Sequence, residues 1–236
     1  MTKVYYKDEY VKLINGDCLE VMKKIPNEKI DLIVTDPPYI MDYQSNRRVV
    51  KEKFDKIKND INSEDLISDY LAECYRILKN DTSIYVFCSW HKIDFFKQEF
   101  EKHFKLKNLI VWNKNNHGSG DLKGSYAPKH ELILYGHKGR SLFREKRIPD
   151  VIDCDKISSA KLIHPTEKPL ELLSIFIKNS SDIGDIVFDG FSGSSPTLVV
   201  CQNLKRKGLG VEIEKEYCKV SKIRLEENNN KIITNQ

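Results

Sequence analysis

Apolar residues along the chain fall into short blocks, and the blocks differ in period. Mostly apolar runs at residues 31–35, 84–88, 109–112, 132–135, 186–189 and 209–213 have the length of strands buried on both faces. Between several of them the apolar positions recur every three or four residues. The clearest such stretch is residues 63–79, where Leu66, Tyr70, Leu71, Cys74, Ile77 and Leu78 share one helical face and Ser63 is placed to cap the start. Further helices are predicted over residues 91–103, 169–178, 196–204 and 215–227. Alternating strand and helix predicts an α/β fold with a mostly parallel sheet and helices on both faces.

Three stretches break this pattern. Residues 40–62 are polar and basic, and a connection that long in a compact domain predicts a mobile, functional loop. Residues 113–127 are rich in Asn, Gly and Ser, and residues 136–163 are basic without a clear period. The last residues, 229–236, are polar and are expected to form a disordered tail. The remainder, residues 1–228, is expected to be one domain, since 236 residues is within the range of a single α/β unit.

Composition narrows the class. Apolar residues make up 40% and charged residues 31% of the chain, as in a soluble globular protein, and no run of about 18 apolar residues exists to span a membrane. The polar N-terminus has no apolar signal core, so a cytoplasmic location is expected. Cys18, Cys74, Cys88, Cys154, Cys201 and Cys218 form no C-x-x-C pair, which argues against zinc and disulfides and for small buried side chains. The net charge is only +4, but the positive residues cluster. Arg47, Arg48, Lys51, Lys53, Lys56 and Lys58 form one group; Lys138, Arg140, Arg144, Lys146 and Arg147 form another. A solvated surface is the ordinary explanation of a single charge run, but two such groups suit a polyanionic partner.

Chemistry concentrates first at Asp36, Pro37, Pro38 and Tyr39, directly after the run Leu32, Ile33 and Val34. Ligands of open α/β sheets bind beyond the carboxyl ends of strands. Asp-Pro-Pro is also a common turn string. Here, however, it would gather a carboxylate, carbonyls with no competing N–H, and an aromatic face at one point. Such a set suits a planar heterocycle bearing an amino group, with Asp36 and the Pro37 carbonyl each accepting one amine hydrogen and Tyr39 stacking on the ring.

A second set follows the run Ile186, Val187, Phe188. Asp189, Gly190, Phe191, Ser192, Gly193, Ser194 and Ser195 lead into a helix with Pro196 in its first turn. Small residues at a helix N-terminus admit a ligand close to the backbone and favour an anionic group. Glu212 ends the next strand, where ribose hydroxyls lie in nucleoside-binding βαβ units. The glycine spacing is not G-x-G-x-x-G, which favours a nucleoside with a short charged group over a dinucleotide. Asp189 and Glu212 would otherwise be strand-end carboxylates capping neighbouring helices. Between the two sets, His164, Pro165, Thr166, Glu167, Lys168 and Pro169 enter a helix. There Lys168 can neutralise a carboxylate, and Thr166 can cap or donate to a ligand.

With these residues in place, the chain resembles the site-specific DNA amino-methyltransferases that use S-adenosylmethionine and act on adenine N6 or cytosine N4. The catalytic motif of that family is Asp-Pro-Pro-Tyr, here Asp36 to Tyr39. Its cofactor motif, Asp-Pro-Phe-x-Gly-Ser-Gly, corresponds to residues 189–195. The catalytic motif comes first, as in the circularly permuted β group of the family. The resemblance implies a Rossmann-like methyltransferase fold with a seven-stranded sheet. It also implies cofactor contacts from Asp17 and Cys18 after Gly16, from Thr166, Lys168, Asp189, Phe191, Ser192, Gly193 and Ser194, and from Glu212. Residues 113–163 would be a small target-recognition region. Arg47, Arg48, Lys51, Lys138, Arg140 and Arg144 would contact double-stranded DNA, with the 40–62 loop closing over a flipped base.

No metal is implied, and the resemblance is compatible with a homodimer and with a cognate restriction endonuclease. Asp rather than Ser at the first motif position favours adenine over cytosine, and Asp rather than Asn disfavours RNA or protein glutamine. Gly190, Ser195 and Pro196 stand where the family has Pro, Gly and Thr. A serine forced to positive φ at residue 195 would be costly, so a DNA-binding subunit without catalysis stays open. The expected outcome for Asp36→Ala is complete loss of methyl transfer with cofactor binding retained, measured by isotope transfer and by calorimetry.

Overall fold

In the computed structural model, residues 2–39, 63–117, 123–156 and 167–234 are described. In chain order they form β1 (Lys3–Lys7), β2 (Val11–Asn15), α1 (Cys18–Met22), β3 (Ile30–Thr35), α2 (Ser63–Ile77) and β4 (Leu78–Cys88). A 3-10 turn (Trp90–Lys92) and α3 (Ile93–Glu101) lead to β5 (Lys105–Asn113), β6 (His130–Lys138) and β7 (Val151–Asp153). Then come α4 (Leu170–Ser180), β8 (Ile186–Asp189), α5 (Pro196–Leu204), β9 (Lys207–Glu212) and α6 (Lys215–Thr234).

All nine strands join one sheet in the order β1-β2-β9-β8-β3-β4-β6-β5-β7. The centre, from β2 to β4, is parallel throughout. β1 is antiparallel to β2, and β6 is antiparallel to both β4 and β5. The expected seven strands are therefore nine among the described residues. The two edge strands β1 and β7 are short and half-exposed, so neither carries an apolar run long enough to read in sequence.

Side chains of the central strands alternate between two cores. Leu32 and Val34 of β3 and Tyr85 and Phe87 of β4 pack with α4, α5 and α6. Ile33, Ile84 and Val86 face α1, α2 and α3. Each side is apolar, so the strands appear in sequence as unbroken runs. β8 continues through α5 on one face to β9, whereas β3 continues through α2 on the other face to β4. The connections thus diverge between β8 and β3, and this switch point opens at the carboxyl edge of the sheet. All six cysteines are buried and unpaired. No helix among the described residues is long and apolar enough to cross a membrane.

Two expectations fail for physical reasons. The tail predicted after residue 228 continues α6 to Thr234. It is held because Asn228 Nδ2 donates to Gln202 Oε1 and Asn203 Oδ1 on α5, both at 2.9 Å. The second concerns Lys138, in the basic group at residues 138–147. Because β6 runs against β4, Lys138 lies beside Thr82, at the edge opposite Asp36. Its side chain is only 7% exposed, and its Nζ donates to the carbonyls of Tyr75 (3.0 Å), near the end of α2, and Leu78 (2.8 Å), which opens β4, and to Glu28 Oε1 (3.2 Å). Lys138 is thus a buried helix cap, with no surface to offer a phosphate. Arg140 N is held by Asp81 Oδ1, and Arg144 pairs with Asp182, so both also lie at the far edge. Arg47, Arg48 and Lys51, with the rest of the 40–62 loop, lie outside the described residues.

Lys138→Met is expected to lower unfolding free energy by about 1–3 kcal/mol by stranding the buried Leu78 carbonyl and the part-buried Tyr75 carbonyl. DNA affinity should be unchanged; urea denaturation and a binding titration read the two effects separately.

Candidate active site

Four strand ends meet at the carboxyl edge. β2, β9, β8 and β3 are successive neighbours, so Asp17, Glu212, the 189–195 loop and the 36–39 tetrapeptide fall side by side despite their spread along the chain. Gly16 N donates to Glu212 O at 3.0 Å. Asp17 caps α1 by accepting from Glu20 N at 3.0 Å. Cys18, the first residue of α1, packs into the core, where burial pushes its thiol up to about 12 and keeps it uncharged.

Tyr70, from the middle of α2, ties the two halves together. Its hydroxyl shares a 2.9 Å hydrogen bond with Thr35 Oγ1 and accepts from Gly190 N at 3.2 Å. Its ring lies 4.7 Å from that of Phe191. A Cβ at residue 190 would come within 2.5 Å of the Tyr70 ring. Gly190 is therefore matched to Tyr70: a proline there would lose the N–H and collide with the ring.

The loop after β8 is tightly held. Asp189 accepts from Phe191 N at 3.1 Å and Thr197 Oγ1 at 2.8 Å. Ser192 N donates to Val211 O, and the hydroxyls of Ser192 and Ser195 lie 3.0 Å apart. Gly193 and Ser195 both have positive φ, 52° and 60°, so the serine sits in the left-handed region that costs about 1–2 kcal/mol. Pro196 follows at the first position of α5, where a fixed φ and a missing N–H suit a helix start. Two α6 side chains that sequence reading did not single out also support the loop. Ser221 Oγ donates to Gly193 O at 2.8 Å, and Arg224 Nη1 reaches Ser194 O and Oγ, each at 3.2 Å. Arg224 also pairs with buried Glu167 at 2.6 Å.

Glu212 accepts from Gly193 N at 2.8 Å and Glu214 N at 2.7 Å, which leaves lone pairs for hydroxyl donors. Close backbone at Gly193, a carboxylate at the neighbouring strand end and Asp17 beside it form a donor and acceptor set that fits a nucleoside with a short charged tail.

Asp36 lies at the centre of a charged network. Its Oδ2 is 2.7 Å from Lys168 Nζ, and its Oδ1 accepts from Tyr39 Oη at 2.7 Å. Lys168 Nζ also reaches Glu131 Oε2 at 3.1 Å and Tyr39 Oη at 3.2 Å, and Glu131 Oε1 is 2.5 Å from Lys114 Nζ. The expected carboxylate for Lys168 is therefore Asp36 of the protein itself, on the opposite side of the site from the Glu212 set. Thr166 lies outside the described residues. Glu131 and Lys114 escape the sequence reading because antiparallel β6 brings them to this edge; neither belongs to a local motif.

Burial raises the Asp36 carboxyl above its usual range, and Lys168 works against that rise. For Glu131 the balance reverses: burial opposes ionisation, but Lys168 and Lys114 outweigh it and hold the carboxyl low. Lys168 is penalised by burial yet raised overall by Asp36 and Glu131, so it stays an ammonium. No cluster of His, Cys, Asp or Glu able to hold a metal occurs among the described residues.

Burial also pushes Glu212 up to about 7, against the N–H groups of Glu214 and Gly193, and Asp189 up to about 6. Both folded values exceed the ordinary ones of 4.5 and 3.8. The folded state therefore holds extra protons within that window, and stability falls as pH rises through it. In Glu212→Gln, neutral at every pH, the loss of unfolding free energy between about pH 5 and about pH 8 is expected to be smaller. Urea unfolding at the two pH values checks this.

A family model described as DNA methylase matches residues 30–223. The chain is 31% identical over 258 aligned positions to the Type II methyltransferase M.HinfI of Haemophilus influenzae, covering 96% of this chain and 71% of that protein. It is 32% identical over 259 positions to the DNA adenine methyltransferase YhdJ of Escherichia coli (strain K12), with 94% and 84% covered. The crystal structure of the M1.HpyAVI–SAM complex has a TM-score of 0.70 at 25% identity, over 91% of this chain and 99% of that one. The PvuII DNA methyltransferase (cytosine-N4-specific) shares the fold, with a TM-score of 0.76 at 18% identity over 99% and 96%. By the extent of the family match and the identity to these relatives, the chain belongs to the DNA methylase family, S-adenosylmethionine-dependent enzymes that methylate adenine N6 or cytosine N4.

Proposed function

We propose that this protein transfers a methyl group from S-adenosylmethionine to the N6 amine of an adenine flipped out of duplex DNA. The observation that carries the proposal is Asp36. It is an acid at the end of β3, charge-balanced by Lys168 and joined through Tyr70 to the loop after β8. Glu212, Asp17 and the backbone of the 190–195 loop hold the methyl donor, which supplies an electrophilic methyl carbon.

Asp36 and the Pro37 carbonyl accept the two hydrogens of the target amine, and Tyr39 covers the base. Fixing both hydrogens turns the amine lone pair toward the methyl carbon, so orientation and electrostatics supply most of the catalysis. The sulfur–methyl bond would break as the nitrogen–methyl bond forms, releasing S-adenosylhomocysteine; the methylated amine is then acidic and gives its proton late to Asp36 or water, so Asp36 need not be a strong base. Flipping costs a few kcal/mol, offset by stacking in the pocket. Asp at the first motif position supports adenine, as does the identity to a relative named as a DNA adenine methyltransferase.

Incubation with tritiated S-adenosylmethionine and duplex DNA, followed by digestion, is expected to place the label in N6-methyldeoxyadenosine. Label in N4-methyldeoxycytidine would replace adenine by cytosine, and label in neither nucleoside would overturn the proposal.

A further inference from the structure

We infer that Glu131 is a positioning residue for methyl transfer, anchoring the Lys168 ammonium against Asp36 from the far side of the site. The catalytic part of this inference rests on the proposed function; the anchoring does not. Lysine has three N–H donors, and all three of Lys168 are spent here, on Asp36 Oδ2, Glu131 Oε2 and Tyr39 Oη. Its side chain is 5% exposed, so water cannot replace a lost partner. Removing one partner of such a buried ion pair leaves a charge uncompensated.

Glu131 is itself fixed. It lies on β6, whose amino end reaches the site because Leu132 pairs with Cys88 at the end of β4, and its other oxygen is held by Lys114. Two acids and two ammonium groups thus alternate from Asp36 to Lys114 and sum to zero charge. Glu131 also offers Tyr39 Oη a second acceptor at 3.3 Å. When a target amine takes Asp36 Oδ1, the Tyr39 hydroxyl can transfer its hydrogen bond to Glu131 without leaving the pocket.

The ionisable groups near Asp36 are Tyr39 on its own loop, Lys168 before α4, Glu131 on β6, Lys114 after β5, Cys88 ending β4 and Asp189 ending β8. Glu131→Gln removes a repulsion from Asp36 while its amide oxygen still holds Lys168 in place, so Asp36 becomes easier to ionise.

The test has two arms. Carbon-13 NMR titration of the Asp36 carboxyl in the free protein is expected to show a midpoint lower by on the order of one pH unit in Glu131→Gln. Steady-state kinetics on DNA are expected to show kcat down by about tenfold or more in Glu131→Ala, with KM for S-adenosylmethionine unchanged. Most of that loss should be recovered in Glu131→Gln, which keeps an oxygen for Lys168 and the native volume. An unmoved Asp36 midpoint in Glu131→Gln, or wild-type kcat in Glu131→Ala, would overturn the inference. The titration is read on the free protein, so it tests the coupling of Glu131 to Asp36 even for a protein that methylates nothing.

Discussion

Because β3 and β8 are covered by helices on both faces, they can bring polar groups to a ligand only where they end. Burial of Leu32 to Val34 and of Val187 and Phe188 leaves Thr35, Asp36 and Asp189 as the first polar side chains at the carboxyl ends. The parallel pairing of the two strands then sets those ends side by side. The rest of the site follows from this constraint: Tyr70 crosses beneath both ends, and Glu212 arrives on the next strand. A one-residue slip of either strand would turn its apolar residues toward the wrong core, so register and site geometry are fixed by the same packing.

Charge is handled differently in the two halves. Around Glu212 and Asp189 the partners are backbone N–H groups and one hydroxyl, so burial dominates and both acids rise toward neutral pH. Around Asp36 full charges meet: Asp36 and Glu131 keep Lys168 charged against burial, and Lys168 with Lys114 keeps Glu131 ionised. Neutral dipoles face the half that fits a nucleoside, and full charges face the half that fits an amine.

Much of this was legible in the sequence, for identifiable reasons. The central strands appeared as unbroken apolar runs because two cores flank them, and α2 appeared through its apolar face. The tetrapeptide and the loop after Asp189 are contiguous, so local order revealed them; the positive φ feared at Ser195 is present. What escaped depends on contacts far apart in the chain. β1, β7 and α1 are too short to establish a period. The partners of Lys168 and Lys138 follow from the antiparallel placement of β6, which a charge run does not encode. The helical tail depends on Asn228 reaching α5.

The α6 contacts to the 189–195 loop have a consequence for synthesis. Chain order places Asp36 early, whereas Glu212, Ser221 and Arg224 come late, and the β3–β8 and β2–β9 pairings join segments far apart in sequence. Such distant pairings form slowly because a long loop must close first. A growing chain therefore carries residues 36–39 long before Ser221 and Arg224 can brace the 189–195 loop.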